Sequence, residues 1–524
     1  MTSPLNLPAS PRAPWPARRW RTVLLLGFGV AYALVSLVNH YNFRTATFDL
    51  GIAAQAVADF AHLRLPRTTL LLDAPPTGYL GQHFSLTPAL AVPLYYLVGG
   101  AWALLLLQIG ALLLGALGVW RYVVAQGSGG REANWALAFF AAQWGVFSAL
   151  SFDYHDNVVG AMALPWLALW VGQGRGGRAL AAAVLLLVSK ENMALWLAFV
   201  LLGLAWQHWP RRTPAPLQPH PVAPLWLGLG AVAALGYFLV VTRYAMPLFD
   251  TTHRPFTQMV RYAHLGNSLP AAVGNVLTHP PLLWATLFRN TLPDGSYDYI
   301  KLETWLAVLV SGGWALLRRP WYALMLLPIL GQKLLANDYA FWGINGQYSI
   351  EFAPVLALAV ADALRATRSP GLGVRRRAWS AALAGVAVFT VVTLYTRRSQ
   401  WYDRATGNFL VGRHYRCAYD RAALTATLAQ VPAGIPLSTA SNLVPHLLNR
   451  RDVFLFPVLR TARLVALLRQ PDEQGAWPLG PAEAQQALAR LQADPHYRVL
   501  YQDAQLVLLS RQFAPADSAA VWEK

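Results

Sequence analysis

The sequence predicts an all-α polytopic membrane protein that carries a small C-terminal α/β domain outside the membrane. Three observations predict it. Of 524 residues, 56% are hydrophobic and 13% charged, with a mean hydropathy of +0.35; the apolar residues gather into long runs; and the arginines sit in short clusters between those runs. A chain this apolar and this long exceeds what one soluble core can bury. The formal charge of +18 is therefore read as topological, belonging to basic loops, with no nucleic-acid partner. The single cysteine, Cys417, excludes an internal disulfide.

The first run, 22–38, follows Arg12, Arg18, Arg19 and Arg21 and lacks a small-residue cleavage site, so residues 1–21 are expected to be cytoplasmic and the run an uncleaved anchor. Further runs lie near 101–124, 134–150, 158–172, 178–189, 193–208, 225–242, 302–317, 321–336, 350–365 and 378–396, which makes about eleven spanning helices. The shorter run 86–99 reads as a re-entrant or surface helix. Every inner loop is then basic: Arg121 and Arg131, Arg175 and Arg178, Arg211 and Arg212, Arg318 and Arg319, and Arg365, Arg368 and Arg375 to Arg377. The transmembrane domain covers 22–396 in the cytoplasmic membrane. Its outer side collects the first outer loop (39–100), tips at 151–157 and 190–192, a long outer loop (243–301), the segment 337–349, and the extracytoplasmic domain 397–524. The proline-rich stretch 210–224 is an inner loop. The tail changes character, with a helical stretch at 481–495, short strands in "IPLSTA" and "DVFLFPV", and a hairpin in "YRVLYQDAQLVLLSR" turning at Asp503-Ala504.

Three polar clusters converge on the outer face: "FDLG" (48–51) with "GQHFS" (81–85), "SFDYHDN" (151–157), and "SKEN" (189–192). Ionisable groups at the ends of apolar segments are expensive and tend to mark function. Each also has a plain reading. Asp49 suits the N-cap of a helix running to about His62, and Lys190 and Glu191 suit a solvated hairpin tip. Asp153, His155 and Asp156 have the residue types of a divalent-cation site, although two histidines in separate loops, His83 and His155, form a weak ligand pattern. A carboxylate at an outer cavity is what a general base needs to take a proton from an acceptor hydroxyl, and nearby cations would steady a departing phosphate. No glycine-rich phosphate loop is present, so a donor already in the membrane is the simpler supply.

The series Phe48-Asp49-Leu50-Gly51-Ile52 with Gln55, His83-Phe84-Ser85, Phe152-Asp153-Tyr154-His155 and Lys190-Glu191 resembles the bacterial and archaeal predicted membrane proteins of unknown function that are grouped with the GT-C glycosyltransferases. The likeness continues through "GQYSIEFAP" (346–354), with Tyr348 and Glu351, and through "SNLVPHLLNRRDVFLFP" (441–457). It implies a GT-C-like fold, a polyprenyl-phosphate sugar donor, transfer to an unknown acceptor on the outer face, and Asp49 as the base. On that reading Lys190, His83 and Arg254 bind phosphate, Asp153, His155 and Asp156 hold the sugar or a divalent cation, and Glu191, Tyr348 and Glu351 contact substrate. The chain departs from the family pattern at Ala54, Asn157 and Asn192, where many members carry acids, which removes candidate metal ligands. The competing class is a transporter or lipid flippase, in which the same polar groups line a path; the inverted repeats and broken midplane helices expected of one are not evident.

Overall fold

The computed structural model describes residues 15–209, 221–253, 257–365, 372–396, 398–399, 402–403, 407–448 and 450–512. The expectations that fall on Arg12, Arg211, Arg212, Arg254, Arg368 and most of the proline-rich stretch lie outside these residues.

Among the described residues, five helices are long and apolar enough to cross a membrane: Ala17–Tyr41, Gly100–Ala125, Pro224–Phe249, Gly295–Arg318 and Val374–Thr396. The other apolar runs that were counted toward about eleven spans are helical but shorter or broken. Run 134–150 divides into Gly130–Ala141 and Trp144–Ser151, and run 158–172 into Asp156–Ala161 and Leu164–Gly172. Gly176–Leu187 and Glu191–Gln207 stay short, and Pro320–Leu334 contains Pro328. For the run 350–365 the reason is packing. Phe352–Arg365 is buried from Phe352 to Leu364, so neighbouring helices and not lipid surround it, and its length is not matched to a bilayer. Run 86–99, expected as a re-entrant or surface helix, forms the short helical segment Thr87–Val98.

The basic clusters meet at one end of the bundle. The Arg21 guanidinium lies 5.0 Å over the Trp120 ring, Arg365 Nη1 donates to the Gln126 carbonyl at 3.4 Å, and Arg319 Nη2 donates to the Asp362 carbonyl at 3.0 Å. The Asp362 carboxylate accepts from Tyr322, Tyr122 and Gln207 at 2.9 to 3.1 Å, tying four helices together. The three polar clusters sit at the opposite end.

The tail forms a five-stranded mixed sheet in the order Val453–Leu455, Leu437–Thr439, Leu464–Leu468, Leu506–Arg511, Tyr497–Gln502. The first three strands are parallel and the last two antiparallel, closed by the hairpin expected at Asp503, whose carboxylate accepts from the Gln505 and Leu506 amides at 2.7 Å. Helix Pro481–Ala493 covers one face with Leu488 and Leu491. The other face takes in Phe43 of the first loop, which packs with Leu424, Leu437, Leu443 and Leu508. Polar contacts follow the same seam. Thr47 Oγ1 donates to the Ser441 carbonyl at 3.1 Å, Arg44 Nη1 to the His414 carbonyl at 2.8 Å, and Gln474 Nε2 to the Arg44 carbonyl at 2.8 Å, while Arg67 pairs with Asp452. The sheet thus holds both flanks of "TFDLG".

Candidate active site

Helix Ile52–Ala61 starts three residues after Asp49, and its N-cap position, Gly51, offers no side-chain bond. Phe48 is extended (ψ 139°) and Asp49 takes φ 68°, ψ −73°, a left-handed conformation that costs a non-glycine residue energy. The Ile52 amide is met by the carbonyls of Asp49 and Thr47. The N-cap reading of Asp49 is therefore corrected: the twist at Phe48-Asp49 turns the carboxylate away from the helix start. It instead lies with Oδ2 3.1 Å from His155 Nε2, with 28% of the Asp49 side chain exposed against 2% for His155. The charge is anchored from inside and open from outside.

His155 comes from a turn that the sequence pattern alone leaves undetermined. Asp153 is also left-handed (φ 60°), and the fully buried Gln108 of helix Gly100–Ala125 grips the turn on both sides. Its Nε2 donates to the Asp153 carbonyl at 2.7 Å and its Oε1 accepts from the His155 amide at 2.8 Å. Asp153 Oδ2 accepts from the Ala46 amide at 2.9 Å, which joins this turn to the Asp49 loop. Phe152 stacks on the imidazole at 5.1 Å and 17°. Neither His155 ring nitrogen makes an aligned hydrogen bond, although the residue is buried. Asp156 faces elsewhere: its carboxylate accepts from Tyr79 at 2.8 Å, Thr87 at 2.7 Å and Tyr154 at 3.0 Å.

Close backbone approaches bring the remaining segments in. A Cβ on Gly160 would lie 2.0 Å from Ser189 Oγ, so this glycine lets the "SKEN" turn dock on helix Asp156–Ala161. A Cβ on Gly145 would lie 2.5 Å from the Ser349 carbonyl oxygen, so helix Trp144–Ser151 meets the segment carrying Tyr348 and Glu351. Glu191 is buried, with Oε2 accepting from the Phe84 amide at 3.2 Å and Oε1 3.6 Å from His83 Nδ1. That corrects the solvated-tip reading for Glu191. Glu351 Oε1 accepts from Asn157 Nδ2 at 2.7 Å. Lys190 is partly exposed and has no carboxylate within ion-pair distance among the described residues. Tyr348 stacks on Phe341 at 4.4 Å, and the Arg261 guanidinium lies 4.9 Å over that ring.

The electrostatics separate the two acids of the paired loops. Burial raises the Asp49 carboxyl, but His155, then Lys190 and His83, outweigh it and hold the group at about 2. Burial pushes Asp153 up to about 8 against the pull of the Ala46 amide, with the Asp49 charge adding to the rise. Burial and then Asp49 also raise the Tyr348 hydroxyl. At neutral pH these shifts leave Asp49 ionised and Asp153 protonated, the arrangement that assigns distinct roles to neighbouring carboxyls. Among the described residues no three or more His, Cys, Asp or Glu side chains group as a metal-ion site. Asp153, His155 and Asp156, the candidate ligands, are dispersed because both Asp156 oxygens serve the Tyr79, Thr87 and Tyr154 hydroxyls.

Of the expected residues, Asp49, His83, Asp153, His155, Lys190 and Glu191 share one electrostatic neighbourhood with Tyr348 and Glu351, because Asp49 acts on Tyr348 and Lys190 acts on both Glu191 and Glu351. Asp156 stands behind it as an anchor, and Arg254 is outside the described residues. Sequence reasoning missed Gln108, a lone amide inside an apolar run, which by itself was the available signal. Gln55, part of the family resemblance, turns out to pin the chain at Thr68-Thr69: its Oε1 accepts from Thr68 Oγ1 at 3.0 Å and from the Thr69 amide at 3.1 Å.

Apolar spans bundled around buried polar ends make this a multipass membrane protein. The chain belongs to the family described as "Predicted membrane protein (DUF2079)", whose model matches residues 39–508. No curated protein matches it. Among solved structures it is similar to the arabinofuranosyltransferase AftD from Mycobacteria, at 12% identity and a TM-score of 0.44, covering 96% of this chain and 40% of that one. It is also similar to the oligosaccharyltransferase of Archaeoglobus fulgidus, at 12% identity and a TM-score of 0.42, covering 93% of this chain and 73% of that one. The chain thus spans less than half the length of the mycobacterial enzyme, and no site residue is carried over from either.

Proposed function

We propose that this protein is a membrane glycosyltransferase that moves a sugar from a polyprenyl-phosphate donor to an acceptor hydroxyl at the outer face of the cytoplasmic membrane. The observation that carries the reading is the Asp49 carboxylate, held in a left-handed loop 3.1 Å from a buried histidine, partly exposed, and under the influence of Lys190 and His83. Asp49 takes the acceptor proton as the acceptor oxygen attacks the anomeric carbon. The bond from that carbon to the phosphate oxygen breaks, and the electron pair leaves with the phosphate, which Lys190 and His83 receive. A carboxyl held at about 2 is ionised but a poor proton acceptor, and general-base efficiency improves as its pKa approaches the working pH. Donor phosphate supplies the correction: by pairing with Lys190 and His83 it removes part of the field that depresses Asp49, so basicity rises when the donor is in place.

Protein reconstituted in vesicles with radiolabelled polyprenyl-phosphate sugars and delipidated envelope polymer as acceptor tests this. Label should move from the organic-soluble lipid to the polymer. Movement of labelled lipid between leaflets with no transfer would replace the reading with a flippase.

A further inference from the structure

The long loop expected to be aqueous, 243–301, contains two short helices, Leu269–Thr278 and Pro280–Phe288. Between Arg261 and Arg289 there is no Asp, Glu, Lys or Arg. Each helix is too short to cross a bilayer, and uncharged apolar segments of this length are typical of re-entrant or interfacial elements. Their apolar side chains are turned outward: Val273 is 50% exposed, Leu277 72% and Trp284 60%. This surface joins the span Gly295–Arg318 through rings, since Trp284 meets Phe288 at 4.3 Å and Phe288 stacks on Trp305 at 5.5 Å.

The end of the second helix gives an independent sign of its surroundings. The last carbonyls of a helix lack intrahelical partners and are ordinarily met by water. Here the Thr286 carbonyl accepts from Lys301 Nζ at 2.6 Å, and the Leu287 carbonyl from Trp305 Nε1 at 3.1 Å. Lys301 is completely buried, with no carboxylate within ion-pair distance among the described residues, and its Nζ lies 4.0 Å over the Trp342 ring. Placing an ammonium under a helix end is costly where water is available and useful where it is not, because backbone groups in hydrocarbon must be satisfied by protein.

We infer that Leu269–Phe288 is a membrane-seated hairpin, with Val273, Leu277 and Trp284 in the acyl region of the leaflet at the site end of the bundle. The occupant of this face is bilayer lipid. The segment just before it reaches the site, since Arg261 Nε donates to Asp338 at 3.1 Å and Tyr262 to the Gln332 carbonyl at 2.9 Å. The hairpin therefore ties the membrane surface to the Phe341 and Tyr348 wall.

The test uses the full chain with Cys417→Ser in phosphatidylglycerol–phosphatidylethanolamine vesicles, with nitroxide labels at Val273→Cys, at Leu277→Cys and, as an aqueous reference, at the exposed Glu473→Cys of the tail. Power saturation at 273 and 277 should show collisions with dissolved oxygen several-fold above those with a water-soluble nickel chelate, the reverse of the order at 473. The chelate order of 473 at both positions overturns the inference in favour of an aqueous loop. Low collision rates with both reagents and an immobilised spectrum overturn it in favour of a protein partner. Trp284→Phe, which keeps the ring contact, gives a second reading: wild-type fluorescence should lose a component quenched by acyl-brominated lipid. No such loss counts against the inference.

Discussion

Asp153→Asn isolates the protonated acid beside Asp49. Asn keeps the shape, tolerates the left-handed turn, and can still accept from the Ala46 amide. The Asp153 carboxyl rises from 3.8 to about 8 in the folded protein, so between these values the native state binds a proton that the unfolded chain has released. Stability then falls as pH rises, by up to about 1.4 kcal/mol per pH unit, until the folded carboxyl ionises near pH 8. Asp49 has the opposite sign. Its depressed carboxyl contributes stability above the unfolded value of 3.8, lost only as pH falls toward 2, so it leaves the window from pH 5 to 8 clear. Melting of detergent-purified protein followed by tryptophan fluorescence should show the wild type losing stability relative to Asp153→Asn at each step from pH 5 to 8, with the variant the more stable at pH 8. Parallel curves would mean that Asp153 is ionised throughout, and the split-acid description of the site would be wrong.

Gln108→Leu leaves the Asp153 carbonyl and the His155 amide buried without partners, at about 1–3 kcal/mol each, so the melting temperature should drop, while the same change at the exposed Gln474 should leave it unaltered apart from one loop contact. Phe43→Ala opens a hole in the core of the tail, costing about 3–5 kcal/mol; limited proteolysis should release the tail faster, and an isolated 407–512 fragment lacking Phe43 should be less stable than one to which a 39–48 peptide is added. With Cys417 replaced, Glu473→Cys should react with an impermeant maleimide in intact cells and Gly177→Cys only after permeabilisation; the reverse pattern would place the site on the cytoplasmic side.

The periodicity of apolar runs and the arginine clusters were enough to locate the helices and to put the polar motifs at one end, because each depends on local composition and on a rule of charge placement. Tail strands and the hairpin at Asp503 were legible for the same reason. What composition could not supply was geometry between distant residues. Asp49 reads as an N-cap until its φ of 68° is known, and Gln108 reads as one amide in an apolar helix until the Asp153 turn is set against it. Phe43 carries no signal of its own in the local pattern, yet it packs into the core of the tail, far along the chain. Helices Leu269–Thr278 and Pro280–Phe288 fall within the long outer loop expected at 243–301, where prolines at 270, 280 and 281 interrupt the apolar residues.

The central claim is that Asp49 acts as a base, and Asp49→Asn tests it most directly. The change preserves shape and removes basicity, and the structure assigns the carboxylate no capping role. Transfer from a radiolabelled polyprenyl-phosphate sugar is measured with wild type and variant side by side, together with membrane insertion and binding of the labelled lipid. The account predicts normal insertion, retained lipid binding, and transfer reduced by about 10²–10⁴-fold; undiminished transfer in Asp49→Asn would contradict it.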